Sequence, residues 1–161
     1  MSATDSLQIL SQAVKLETEG LAFYLEAAEK TADPKAKALF LSLADDERMH
    51  KEVILSQLHA IEDNGAYVLL PDIKVVSIDL DQPIFPPDSS AVEEAIGQNA
   101  TEQDALFVGI EMEIKSYELY RKQAQQIEGA SQQMFRWLAS AELTHYNLLM
   151  SSWEALNALG A

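Results

Sequence analysis

The sequence contains no cysteine, few basic residues and no long apolar run, and each absence excludes a class of protein. Without cysteine the chain has no disulfides, no cysteine zinc fingers, no iron–sulfur clusters and no thiol catalysis. The sequence has 11 basic and 26 acidic residues, and the formal charge of −15 disfavours nucleic acid and anionic membranes as partners. The N-terminus has neither a basic region nor an apolar segment of signal type. We therefore expect a cytoplasmic protein with no nucleic-acid and no membrane partner.

Glycine and proline are also scarce, at 6 and 5 of 161 residues, whereas 48% of the residues are hydrophobic. This composition favours one helical domain with a sizeable core over a disordered chain. We expect a single domain over 1–161, formed by a helical hairpin at 5–62, a crossover at 63–100 and a second hairpin at 101–160.

Turn residues mark the ends of the predicted helices. The Asp-Pro pair at 33–34 is typical of a helix start, and the Asn-Gly pair at 64–65 is typical of a helix end. From 66 to 89 the sequence is extended, β-branched and punctuated by proline, which predicts a long connection with room for a short strand. A short helix is expected at 90–96, and Thr101 has the pattern of an N-cap for the third long helix.

The two halves of the chain resemble each other. LETEGLAFY at 16–24 aligns with MEIKSYELY at 112–120, and FLSLADDERMH at 40–50 aligns with FRWLASAELTH at 135–145. A duplicated helical hairpin forms a four-helix bundle whose halves are joined by one long connection. The sequence therefore predicts an all-α, antiparallel four-helix bundle with one long crossover between its duplicated hairpins.

Each predicted helix carries a glutamate on its apolar stripe, and two helices add a histidine three residues later. These candidate ligands are Glu17, Glu47, His50, Glu113, Glu142 and His145. At a rise of ~1.5 Å per residue, the carboxylates of neighbouring helices lie at nearly the same level. Burying four carboxylates together is costly unless positive charge compensates them. Two divalent cations would balance the four charges and leave both histidines neutral.

The ligand chemistry indicates which cations these are. Oxygen-rich coordination with one imidazole per ion suits iron or manganese better than structural zinc. Single glutamates from two helices, with Glu-x-x-His from each of the other two, form the known ligand pattern of di-iron carboxylate bundles. One Glu-x-x-His is weak evidence, but two of the chain's three histidines have it at duplicated positions. We predict two iron ions, with Fe/Mn or Mn pairs as alternatives. His59, the third histidine, is expected to lie on a solvated face.

Three further polar residues are candidates to support the ligands. Tyr24 and Tyr120 each lie seven residues after the glutamate of their helix, two turns along the same face. Each phenol could orient a ligating carboxylate by a hydrogen bond, and the alternative role is a core aromatic. Asp46 precedes His50 by four residues and is a candidate partner of a ligand histidine, although the equivalent residue of the second half is Ala141.

The tyrosines placed after the first and third glutamates, together with Glu-x-x-His at 47–50 and 142–145, resemble the rubrerythrin group of the ferritin-like superfamily. The resemblance covers both hairpins, roughly 7–61 and 101–157. It implies a ferritin-like bundle that holds a di-iron centre and performs redox chemistry with hydrogen peroxide or dioxygen, commonly as a dimer.

Two features depart from that family. Rubrerythrins usually append a rubredoxin-like domain with four cysteines, so in this cysteine-free chain the electron donor has to be a separate protein or a small reductant. Rubrerythrins also carry an extra glutamate one turn after the third-helix ligand, where this chain has Ser116. In the related bacterioferritins a haem-ligating methionine follows the helix-two glutamate, where this chain has Arg48.

Three hypotheses follow for the function. The first is a di-iron oxidoreductase of rubrerythrin type that reduces hydrogen peroxide or dioxygen with electrons from a separate donor, such as a rubredoxin-like protein. In it Glu47 and Glu142 bridge the ions, and no catalytic residue is needed beyond the metal ligands. The second is a ferroxidase or iron-binding protein that handles or buffers iron without turnover of an organic substrate. The third is a structural bundle that metal merely stabilises. We also expect a homodimer, with the crossover at 66–88 as a candidate interface.

Overall fold

In the part of the chain that the structure describes, four long helices form a bundle. The computed structural model describes residues 2–70, 73–85 and 100–160, and no β-strand occurs within these ranges. In chain order the helices are α1 (Ala3–Lys30), α2 (Pro34–Asn64), α3 (Ala100–Gln126) and α4 (Ala130–Gly160). α1 pairs with α2 and α3 with α4, and the two hairpins pack through α1 against α3 and α2 against α4. The predicted all-α four-helix bundle is confirmed.

Local hydrogen bonds explain where α2 begins and ends. The Ala36 backbone N–H donates to the Asp33 carboxylate at 3.1 Å, so Asp33 caps the helix immediately before Pro34. At the other end Gly65 adopts the left-handed conformation with φ 75°, and its N–H donates to the Ile61 carbonyl at 2.8 Å. Both ends lie where the sequence predicts them.

The start of α3 differs from the prediction. The helix begins at Ala100, so Thr101 lies in its first turn instead of at the N-cap. Acidic residues are favourable throughout the first turn because of the helix dipole, so an acid three residues after a threonine does not define the boundary by itself. The short helix expected at 90–96 lies outside the described residues.

The core consists of two hydrophobic clusters with a polar layer between them. Leu10 and Phe135 belong to the cluster on one side, Phe40 and Leu149 to the cluster on the other, and all four are fully buried. Burying a large apolar side chain stabilises a protein by roughly 1.5–3 kcal/mol, so the clusters hold the four helices firmly at both ends of the layer. Within the described ranges, no helix combines the length and apolarity needed to cross a bilayer.

The described part of the crossover lies along the bundle, where side chains of the helices form hydrogen bonds with its backbone. Gln57 on α2 donates from Nε2 to the Val68 carbonyl at 2.6 Å and accepts from the Val68 N–H at 3.0 Å. Side chains of α3 and α4 donate hydrogen bonds to the carbonyls of Ile78, Leu80, Gln82 and Phe85. The short strand for which the sequence left room is not found in the described part of the crossover, because these backbone groups bond to helix side chains.

Candidate metal centre

The six predicted ligand side chains meet in the polar layer. Glu17 and Glu47 lie equally far along the chain from the turn between α1 and α2, and Glu113 and Glu142 are placed almost identically around the second turn. Equal separations along antiparallel helices bring the carboxylates to one level. Exposure is at most 4% for every member of the set, which is Glu17, Glu47, His50, Glu113, Glu142 and His145. His59 is exposed on α2, as predicted.

The ligand atoms form two groups of four that share two glutamates. One group is Glu17, Glu47, His50 and Glu142, and the other is Glu47, Glu113, Glu142 and His145. Within each group one atom from every residue lies within 4.8 Å of the others. His50 Nδ1 is 3.1 Å from Glu142 Oε1 and 3.6 Å from Glu17 Oε2. His145 Nδ1 is 3.4 Å from Glu113 Oε1. The shared glutamates therefore lie between two adjacent positions.

Many polar atoms of this layer are buried without a hydrogen-bond partner. Among the described residues these atoms include Glu17 Oε2, His50 Nδ1, Glu113 Oε2, both carboxylate oxygens of Glu142, and His145 Nδ1. An unpaired buried polar group costs roughly 1–3 kcal/mol, and a charged one costs more. Carboxylate oxygens and imidazole nitrogens are ligands of iron and manganese. The donor set fits two divalent cations, which would satisfy all of these atoms.

Burial and proximity divide the four carboxyl groups into two classes. Burial, together with the neighbouring carboxylates, raises the pKa of Glu47 and of Glu142 well above the ordinary glutamate value. Burial acts the same way on Glu17 and Glu113, but the adjacent glutamate, the nearby histidine and the tyrosine hydroxyl that donates to each carboxylate outweigh it and lower the pKa of both. In the absence of a cation, Glu47 and Glu142 therefore keep their protons to higher pH than an ordinary glutamate does.

The two tyrosines bind the glutamates of the opposite hairpin. Tyr24 on α1 donates to Glu113 Oε1 on α3 at 2.5 Å, and Tyr120 on α3 donates to Glu17 Oε1 on α1 at 2.6 Å. Burial and the acceptor's charge raise the pKa of each phenol well above its ordinary value, so both remain donors. Sequence spacing indicates only the shared helix face, whereas the crossed pairing depends on how α1 packs against α3.

Asp46 contacts a candidate ligand histidine, but not the one nearest to it in sequence. Its Oδ2 lies 2.9 Å from His145 Nε2, although His50 is the histidine on its own helix. The Asp46 side chain is 45% exposed and that of His145 only 3%. Burial opposes protonation of His145, but Glu113 and Asp46 outweigh it and raise the pKa of this imidazole to about 9. His50 instead meets Trp137 edge to face, with ring centroids 5.3 Å apart.

Gly20 is a residue of this layer that the sequence analysis did not identify. A Cβ at this position would lie 3.4 Å from Cδ and Oε2 of Glu47, so the lack of a side chain at Gly20 lets the α1 backbone lie close to that carboxylate. A signal was present, because Gly20 follows Glu17 by three residues on the same buried face of a long helix, where glycine is unfavourable. The equivalent residue of the second half, Ser116, is also buried.

Known proteins resemble this chain in part of its sequence and in its fold. Residues 8–82 match the family model described as Rubrerythrin, a range that contains α1, α2 and much of the crossover. No curated protein matches the chain. The solved structure of a hypothetical protein from Pyrococcus furiosus is similar with a TM-score of 0.67 and 22% identity, covering 94% of this chain and 89% of that one. At that identity the likeness shows a shared fold. The family match confirms the predicted resemblance to the rubrerythrin group over α1, α2 and much of the crossover, and the first helical hairpin of this protein is rubrerythrin-like.

Proposed function

We propose that the protein is a di-iron carboxylate oxidoreductase of rubrerythrin type, which reduces hydrogen peroxide or dioxygen with electrons from a separate donor. The observation that supports this most strongly is the pair of ligand groups that share Glu47 and Glu142. Two adjacent cation positions with common carboxylates allow two metal ions to act on one small substrate. The rubrerythrin match over 8–82 supports the same chemistry.

The protein's own residues bind, orient and shield the ions. Glu47 and Glu142 would each contact both ions. The remaining ligands would complete one position each, in the pairs Glu17–His50 and Glu113–His145. The two tyrosines hold the unshared glutamates in place, and near-complete burial keeps bulk water away from the reacting atoms. Two bound iron ions would supply one electron each, which with two protons suffices to convert hydrogen peroxide into two water molecules.

We propose that the electrons come from another molecule. The chain has no cysteine and therefore no rubredoxin-type centre of its own. We propose a separate protein, such as a rubredoxin-like one, or a small reductant. Metal analysis of protein purified without added metal distinguishes an iron pair from Fe/Mn and Mn pairs.

Rapid mixing tests the reaction. Protein loaded anaerobically with two Fe(II) per chain is mixed with hydrogen peroxide in a stopped-flow instrument. We expect iron oxidation faster than that of free ferrous ion, and at least about tenfold slower in His145→Gln than in the unmodified protein. His59→Gln is the matched control, because this histidine is exposed and outside the layer. A rate equal to that of free ferrous ion, or equal rates in the two variants, would overturn the proposal.

The charge of −15 favours a second candidate, an iron-handling protein that oxidises or buffers iron without organic substrate turnover. An acidic surface raises the local concentration of cations. Sedimentation with iron analysis separates the two candidates. The oxidoreductase predicts a small oligomer, which we propose is a homodimer, with two irons per chain. Iron storage predicts a large particle that holds many irons per chain.

A further inference from the structure

We propose that the two cation positions are unequal, and that Asp46 makes the position completed by His145 the tighter one, which fills first. The inference rests on the metal site of the proposed function and concerns a residue behind the ligands. Asp46 is a positioning residue, because it contacts His145 and reaches a bound ion only through that ring. The ligands themselves do not distinguish the two positions, since each position has three glutamates and one histidine.

The duplication reproduces the six ligands but not the residue behind each histidine. Asp46 lies four residues before His50, and the equivalent residue, four before His145, is Ala141. The Asp46 carboxylate crosses to the other hairpin, where Oδ2 lies 2.9 Å from His145 Nε2. Ala141, at the equivalent position of the second hairpin, has only a methyl side chain, which accepts no hydrogen bond.

The surroundings of His50 agree with this difference. Trp137, one turn before Ala141 on α4, meets the His50 ring edge to face at a centroid distance of 5.3 Å. The His50 ring also stacks on the His145 ring, with the ring centroids 5.6 Å apart and an angle of 19° between the ring planes. Packing therefore locates the His50 ring, whereas His145 has both the stacking contact and a carboxylate behind it.

The carboxylate changes how well His145 binds a cation. The Asp46 carboxylate accepts a hydrogen bond from His145 Nε2–H, which leaves the Nδ1 lone pair of His145 directed at the layer. There Nδ1 lies 3.4 Å from Glu113 Oε1 and 3.5 Å from Glu47 Oε1. The carboxylate also adds a negative charge beside this position, and it reduces the rotational freedom that the ring would otherwise lose on binding. All three effects favour the first cation at the His145 position.

Titration of the metal-free protein with Co(II) under argon, followed by visible absorption and calorimetry, tests this order. We expect two steps of one equivalent each, with His145→Gln abolishing the tighter step and His50→Gln the weaker one. Asp46→Ala should weaken the tighter step about 10–100-fold and leave the weaker step unchanged. Asp46→Asn keeps an oxygen acceptor without the charge and should restore part of the loss. Ala141→Asp should strengthen the weaker step.

Asp45→Ala is the matched control, since Asp45 is an adjacent exposed carboxylate that pairs with Arg48 at 2.7 Å. It removes the same charge and should leave both steps unchanged. Two equal steps in the unmodified protein, or identical titrations for Asp46→Ala and Asp45→Ala, would overturn this inference while leaving the proposed function intact. Absence of any Co(II) binding would overturn both. Urea unfolding of each metal-free variant separates loss of affinity from loss of folding.

Discussion

Four glutamates are buried at one level of this bundle, and their neighbours determine how each of them behaves. Glu17 and Glu113 each accept a phenol hydrogen bond and have a lowered pKa. Glu47 and Glu142, which belong to both ligand groups, have a raised pKa. The four glutamates of one layer therefore have two protonation behaviours, one shared by the equivalent helices α1 and α3 and the other shared by α2 and α4.

The crossed tyrosine contacts predict which cation position each tyrosine supports. Tyr24 bonds to Glu113, so Tyr24→Phe should weaken the position completed by His145. Tyr120 bonds to Glu17, so Tyr120→Phe should weaken the position completed by His50. We expect losses of about tenfold in Mn(II) affinity, because each carboxylate loses the donor that orients it. Calorimetric titration of each variant measures the loss.

Tyr117→Phe provides the control for this experiment. Tyr117 is buried on α3 like Tyr120, but its hydroxyl donates to the Gln82 carbonyl of the crossover at 2.8 Å. Its loss should leave Mn(II) affinity unchanged. Equal losses in all three variants would show that the tyrosines act through general packing and not through the carboxylates.

At the scale of the elements, the helix ends lie far from the candidate ligands, and the core clusters on both sides of the layer hold these ligands at one level. Asp33 caps α2 about 20 Å along the helix axis from Glu47. Asp33→Ala should lower the free energy of unfolding by about 1 kcal/mol, since the Ala36 N–H loses its acceptor. Mn(II) affinity should not change, because the clusters on both sides of the layer hold the helices in register.

Urea unfolding and Mn(II) titration of the same preparations measure the two effects of this cap. Asp33→Ser is the rescue variant, because serine is also a good N-cap and should recover most of the stability. A large loss of affinity in Asp33→Ala would mean that the level of Glu47 depends on the cap and not on core packing.

The elements also show where sequence patterns are ambiguous. The start of α2 was predictable because the Asp-Pro pair has a single favourable use. The start of α3 was not, since Thr101 with an acid three residues later fits both an N-cap and a first turn. The short strand for which the sequence left room in the crossover is absent from 66–70 and 73–85 because Gln57 and the side chains of α3 and α4 bond to its backbone.

At the scale of the whole molecule, protons and the proposed cations would compete for the same layer. In the folded protein Glu47, Glu142 and His145 have raised pKa values, so each binds protons more tightly folded than unfolded. The stability they contribute is present at low pH and is lost as the pH rises. For His145 the loss runs from its ordinary pKa of 6.5 to about 9. Glu17 and Glu113 act in the opposite sense, and their contribution is lost as the pH falls below 4.5.

The metal-free protein should therefore be most stable in the mildly acidic range. His145 alone should account for up to about 3 kcal/mol of lost stability across its window. Divalent cations should reverse this trend, because they replace the protons and bind better when the ligands are deprotonated. Urea unfolding between about pH 5 and 9, with EDTA or with excess Mn(II), measures both curves. If the free energy of unfolding depended on pH in the same way with EDTA and with Mn(II), the exchange of protons for metal would be contradicted.

The sequence by itself determined the four helices, their duplication, and the type and level of the six polar side chains. Helical periodicity and turn chemistry are local, so residues a few positions apart carry that information. Only the tertiary structure decided that Tyr24 and Tyr120 bond across the hairpins and that Asp46 supports His145. It likewise decided that Gly20 faces Glu47. These contacts join helices that are distant in sequence or in different hairpins, and their partners depend on how the whole core packs.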